Sequence, residues 1–223
     1  MDITSESVQA NLNSNDFDRR IRGINQLRLL DQDVAFTMVQ PLVQDSNARI
    51  RYAAVSLFDV LGSQDLATSL EILRDRLFND PEVDVKAAAA DAIGGLKLQE
   101  AFPDLEQVYH QTSDWLIQMS IVATLGELGH PKSFDLLSDA LSSSNELIVS
   151  AAVSSLGELG DLRALPLLVP MINHPDWQVR YRLTHSIHSL GGSEAVKALK
   201  SLADDSHEEI SQTAKKYLAG IKT

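Results

Sequence analysis

At 223 residues, 44% of them hydrophobic, the chain can bury a sizeable core, which excludes a disordered tail. Its 31 acidic against 19 basic residues leave a net charge of −12, which disfavours nucleic-acid phosphates and anionic membrane surfaces unless the cations gather in one place. It has no cysteine, hence no disulfide, thiolate metal site or cysteine nucleophile. No apolar run approaches the roughly 18 residues of a membrane span, and the opening MDITSESVQANLNSND lacks the regions of a secretory signal, so a soluble, cytoplasmic protein without membrane insertion is expected.

Taken in chain order, the sequence repeats itself. RRIRGINQLRLL, ARIRYAAVSLFDVLG, VDVKAAAADAIGGL, WLIQMSIVATLGELG, ELIVSAAVSSLGELG, WQVRYRLTHSIHSLG and EEISQTAKKYLAGI align on apolar anchors at Ile21, Ile50, Val85, Ile117, Ile148, Val179 and Ile210. The steps between anchors are 29, 35, 32, 31, 31 and 31 residues. Eight residues past each anchor stand Leu29, Phe58, Ile93, Leu125, Leu156, Ile187 and Leu218. Positions 0, +4, +8 and +11 share one helical stripe, so each segment is an amphipathic helix. Polar turns such as QDSNAR, NHPDWQ and DDSHEE supply caps in front of these helices. Gly62, Gly129, Gly160 and Gly191 are expected to end them in the left-handed conformation. A second apolar stretch, such as KSFDLLSDAL or RALPLLVPMI, completes a helix, turn, helix unit.

Fixed-period self-similarity without strand alternation predicts an all-α fold, an α-solenoid wound as a right-handed superhelix of about seven hairpins. The expected organisation is a single domain over 1–223, with repeats near 4–31, 33–62, 65–96, 99–129, 131–160, 162–191 and 193–221. No nucleophile elbow, H-E-x-x-H, phosphate-binding glycine loop or dinucleotide fingerprint occurs, so a hydrolase or kinase has nothing to rest on.

An Asp-bearing turn, an Ile-Arg or Val-Arg pair, then a helix ending in Leu-Gly, as in QDSNARIRYAAVSLFDVLG and HPDWQVRYRLTHSIHSLG, resembles the HEAT-like repeat phycobilin lyase family over nearly the whole chain. IRGINQLRLL, AAAADAIGGLKLQEAFPDLEQVYHQTSDWL and PKSFDLLSDAL are similar to its phycobilisome-degradation branch. That resemblance implies a cyanobacterial protein acting during nutrient stress. Its partners would be phycocyanin or allophycocyanin subunits and a phycobilisome-degradation adaptor, and its ligand or substrate a phycocyanobilin-type bilin, with no cofactor required. Lacking cysteine, the chain would hold a bilin only non-covalently. The alternative is a non-catalytic adaptor that recognises a protein partner through a concave groove.

A separate stripe at −2, +2, +6 and +9 carries Trp177, Tyr181, His185 and His188 in repeat six, and Trp115, Met119, Ala123 and Gly126 in repeat four. Repeat two gives Tyr52, Ser56 and Asp59, and repeat three gives Ala87 and Asp91. If this stripe lines the groove, Ser150, Ser154 and Gly157 of repeat five leave a hollow between two Trp-bearing rows. A flat tetrapyrrole suits such a hollow, with rings stacking on it and Arg51 or Arg180 meeting its propionates. The ligand set is therefore Trp115, Met119, Trp177, Tyr181, His185, Tyr52, Arg51 and Arg180. The plainer reading lays each Trp over the next repeat's loop and pairs Arg22, Arg51, Lys86 and Arg180 with aspartates as a structural ladder. Detaching a thioether-linked bilin needs proton transfer, for which His185 or His188, with Asp91 or Asp59 relaying, are the catalytic candidates. His185 and His188 lie three apart with no evident third metal ligand, and the repeated Glu127 and Glu158 read as a solvated rim.

Overall fold

A computed structural model describes residues 3–221, and among them the chain is all helical, an α-solenoid of helical hairpins with no strand. The hairpins are α1 (Ser5–Leu12) with α2 (Phe17–Leu27); α3 (Gln32–Val39) with α4 (Ala48–Ser56) and α5 (Phe58–Leu61); and α6 (Leu66–Asn79) with α7 (Val83–Gly95). They continue as α8 (Phe102–Gln111) with α9 (Trp115–Leu128), α10 (Ser133–Ala140) with α11 (Glu146–Leu159), α12 (Leu165–Leu168) with α13 (Trp177–Leu190), and α14 (Gly192–Leu202) with α15 (Glu208–Gly220). Two compact units result, Met1–Ile121 and Val122–Thr223, the division falling within α9. Among the described residues no helix is long and apolar enough to cross a membrane.

The second helix of each hairpin is the one the sequence repeats. Its core stripe is fully buried in both units: Ile50, Ala54 and Phe58, or Val85, Ala89 and Ile93, in the first; Ile148, Ala152 and Leu156, or Val179, Leu183 and Ile187, in the second. Burying one such large side chain contributes about 1.5–3 kcal/mol. Phe58 also meets Phe36 of α3 edge to face, centroids 5.8 Å apart. The α4–α5 break at Leu57 follows Ser56, whose hydroxyl donates to the Tyr52 carbonyl at 2.9 Å, a bond that bends helices. Pro41 and Pro170 deprive the first helices of backbone donors, and Gln40–Gln44 and Val169–Asn173 tighten into 3-10 turns.

Two expectations are corrected. In α2, Ile21 is half-buried and Leu29 is 66% exposed, whereas Gly23, Ile24 and Leu27 are buried. The true anchor position is Arg19, three residues after the cap Asp16, as Ile50 follows Asn47; the first step is then 50 − 19 = 31. Gly62 does not end its helix in the left-handed region: its φ is −67°, and its missing side chain instead admits Leu96 and Ser69, 2.6 and 2.9 Å from where a Cβ would sit. Gly129, Gly160 and Gly191 do adopt positive φ, and the equivalent position in α7's repeat is Lys97, a non-glycine residue at φ 52°.

Candidate functional site

The basic residues following the anchors form a ladder. Arg51 is buried and bidentate on Asp80, Nε donating to Oδ2 at 2.8 Å and Nη2 to Oδ1 at 2.9 Å, with Nη1 donating to the Asp45 carbonyl at 2.9 Å. Arg180 repeats this on Asp205 at 2.7 and 3.1 Å, its Nη1 reaching the His174 carbonyl at 2.7 Å. Each aspartate opens the following turn and accepts a backbone amide there, Glu82 on Asp80 at 3.0 Å and His207 on Asp205 at 2.8 Å. The hydrogen bond to Asp80 raises the pKa of Arg51, and that from Arg180 lowers the pKa of Asp205. These guanidinium groups are committed to joining repeats, which removes Arg51 and Arg180 from the ligand-facing set. In the first repeat the pairing falls to Arg20 with Asp45, while Arg22 is exposed. Lys86 donates to the Phe78 carbonyl at 2.9 Å.

In the second unit the rings of α13 fall into two groups, Trp177 with His207, the cap of α15, and Tyr181, His185 and His188 with Tyr217 of α15. Trp177, 41% exposed, stacks on His207 with centroids 4.4 Å apart and planes 4° from parallel. His188 stacks on Tyr217 at 3.7 Å, and His185 meets Tyr181 and Tyr217 edge-on at 4.6 and 5.6 Å. The Tyr217 hydroxyl lies 2.6 Å from His185 Nδ1. Burial, followed by the charges of His188 and Arg182, pushes the His185 pKa below 6.5, so its imidazole is neutral at pH 7; Glu209 opposes. Burial and Tyr181 hold Tyr217 above its usual pKa, keeping its hydroxyl protonated. Arg182, exposed three residues from His185, donates to Ser154 Oγ at 3.3 Å.

The first unit holds Tyr52, Ala87, Asp91 and Met119 around one open groove of about 460 Å³. Val85, Ala88, Leu116 and Ser120 complete its inner wall, and Ala48, Arg49, Glu82 and Asp84 its rim. Tyr52 is 49% exposed at its edge. Trp115, 47% exposed, is not among the groove's lining residues.

The heads of the second helices set both surfaces apart. Asp16, Asn47, Asp114, Asn145 and Asp176 each accept a backbone amide of the following turn. Glu82 and His207 hold the same position without a side-chain cap. Their side chains go elsewhere, Glu82 to the groove rim and His207 to the Trp177 ring. A lost cap costs about 1 kcal/mol.

The expected hollow of small residues in repeat five is filled. A Cβ on Gly157 would sit 2.6 Å from the Ser186 Cα, and one on Gly126 would sit 2.8 Å from the Ser155 Cα. Ser186 donates to the Val153 carbonyl at 2.8 Å, and Ser150 is buried. Small side chains there bring helix backbones together instead of opening space. Asp59 lies against Gly95, within reach of any side chain placed there. Of the catalytic candidates, His185 and His188 share the ring cluster of the second unit, and Asp91 belongs to the groove of the first. Burial and the Glu127 charge push the Glu158 carboxyl upwards. His207 and Tyr217 were missed from sequence, although register alone puts Tyr217 seven residues beyond the last anchor, Ile210.

A family model of HEAT repeats matches residues 70–156 and 137–219. No curated protein matches the chain. Among solved structures, the complex of CpcE and CpcF of phycocyanin lyase from Nostoc sp. PCC7120 is similar with a TM-score of 0.66 at 19% identity, over 100% of this chain and 96% of that one. The archaeal HEAT-like repeats protein from Thermococcus onnurineus NA1 gives 0.60 at 13% identity, covering 98% and 97%. An engineered protein gives 0.57 at 15% identity, covering 98% of this chain and 68% of that one. At these identities the likeness is one of fold.

Proposed function

This chain belongs to the HEAT-repeat family, and on that footing we propose that it handles bilins of phycobiliproteins, holding the chromophore non-covalently on the ring surface of α13 and α15 during antenna turnover. The reading follows the sequence resemblance to the cyanobacterial phycobilisome degradation protein called non-bleaching protein B. The solenoid fold shared with the phycocyanin lyase complex supports it. The observation that carries it is the ring surface, where Trp177 has one face on His207 and remains 41% exposed. A conjugated tetrapyrrole stacks on such a face, and the exposed Arg182, near His185, suits a propionate.

Chemistry at this surface falls to His185. A thioether-bound bilin is released when a base takes the proton on the ring carbon next to the sulfur-bearing carbon. The C–S electron pair returns to the cysteine sulfur, which is protonated, and an exocyclic double bond forms on the bilin. A neutral imidazole serves as that base near pH 7. In the tautomer whose Nδ1–H donates to the Tyr217 oxygen, Nε2 carries the lone pair and is the nitrogen that takes the proton.

The test mixes the full chain with intact phycocyanin, follows visible absorption, and separates the proteins by size. Bilin moving to this chain, and slowed by His185→Gln, is the expected result. An unchanged spectrum with co-elution makes the protein an adaptor, and an unchanged spectrum without co-elution overturns the reading.

A further inference from the structure

We propose that the groove of the first unit is a docking site for a basic amphipathic helix of a partner protein, a function separate from any bilin on the second unit. Its inner wall is apolar, with Val85, Ala88, Leu116 and Met119 beside the half-exposed Tyr52. Its charged lining is lopsided, three carboxylates, Glu82, Asp84 and Asp91, against the single guanidinium of Arg49. A ligand matching both features carries an apolar stripe flanked by lysines or arginines, which is the helix-in-groove mode of recognition. A bilin's two propionates meet net negative charge here, so the groove selects against it. The volume of about 460 Å³ lies within the range that encloses a small ligand or a few anchoring side chains. Asp84 suits the first turn of α7, but Glu82 heads that helix without capping it, so its carboxylate is left for the groove.

The probe is a short fluorescein-labelled, helix-forming peptide with a leucine stripe flanked by lysines, titrated with the full chain by fluorescence anisotropy. A second peptide has glutamates in place of the lysines. The lysine peptide binds, its affinity falls as salt is raised, and the glutamate peptide binds at least about tenfold more weakly. Glu82→Asn combined with Asp84→Asn weakens the lysine peptide about five- to tenfold. The Glu82→Asn change adds a capping side chain to α7, so this loss comes without a loss of helix, which circular dichroism checks. Trp177→Ala leaves peptide binding unchanged while removing bilin binding, which separates the two surfaces. Equal binding of both peptides, no binding of the lysine peptide, or unchanged affinity in the double variant overturns the proposal.

Discussion

The same helical positions make two different surfaces in the two units. In the first, Tyr52 is followed one repeat later by Ala87, and an open, acid-rimmed groove remains. In the second, Tyr181, His185 and His188 meet Tyr217 from the next repeat, and the rings close on one another beside Arg182. One tandem unit thus yields a cleft or a stacked platform according to the bulk that the next repeat sets opposite. Both surfaces are marked at a helix head, where Glu82 and His207 forgo the capping role that Asp or Asn plays in the other five repeats.

The ladder distinguishes the units most strongly. Asp80 is fully buried and serves both Arg51 and Arg76, so Asp80→Ala strands the buried Arg51 and leaves Arg76 only Asp75 and the Val43 carbonyl. A loss of about 3–5 kcal/mol is expected in urea unfolding. Asp205→Ala strands only the slightly more exposed Arg180 and costs less; equal losses would break the distinction. Gly157→Ala, which drives a Cβ to 2.6 Å from the Ser186 Cα, costs about 1–3 kcal/mol by the same measurement and acts on the second unit.

The ring cluster responds to pH. His185 has a folded pKa below 6.5, so the unfolded chain takes up the proton first, and stability is lost as pH falls from about 6.5 through the folded value. Thermal midpoints should decline on acidification through this window, and His185→Gln should flatten the decline. Tyr217→Phe removes the hydroxyl from His185 and costs about 1 kcal/mol at pH 7. The smallest effect is a gain. Lys97→Gly relieves a left-handed lysine where other repeats use glycine, adding about 0.5–1 kcal/mol.

From Ile50 to Ile187 the buried stripe was legible because each of these helices is covered on both sides, which forces apolar residues at fixed spacing. The first repeat misled by two residues because an end helix lacks one neighbour, and an exposed leucine such as Leu29 imitates a core position. Gly62 was misread for a related reason: composition names the residue able to turn left-handed, while packing decides which one does, and in α7's repeat it is Lys97. The aromatic run of α13 was visible, but its partners were not. His207 and Tyr217 sit in a polar last repeat with no apolar signal to mark them. The small residues of repeat five suggested space, whereas helices that approach closely need the same residues.

The most direct test of the account titrates free phycocyanobilin into four variants and follows bilin absorption. Trp177→Ala and His207→Asn should each lose about tenfold or more in affinity, the second despite gaining a helix cap. Tyr52→Ala and Glu82→Asn should bind as the unaltered chain does. If the losses instead follow Tyr52 and Glu82, or if none of the four changes affinity, the assignment of bilin to the stacked surface is contradicted.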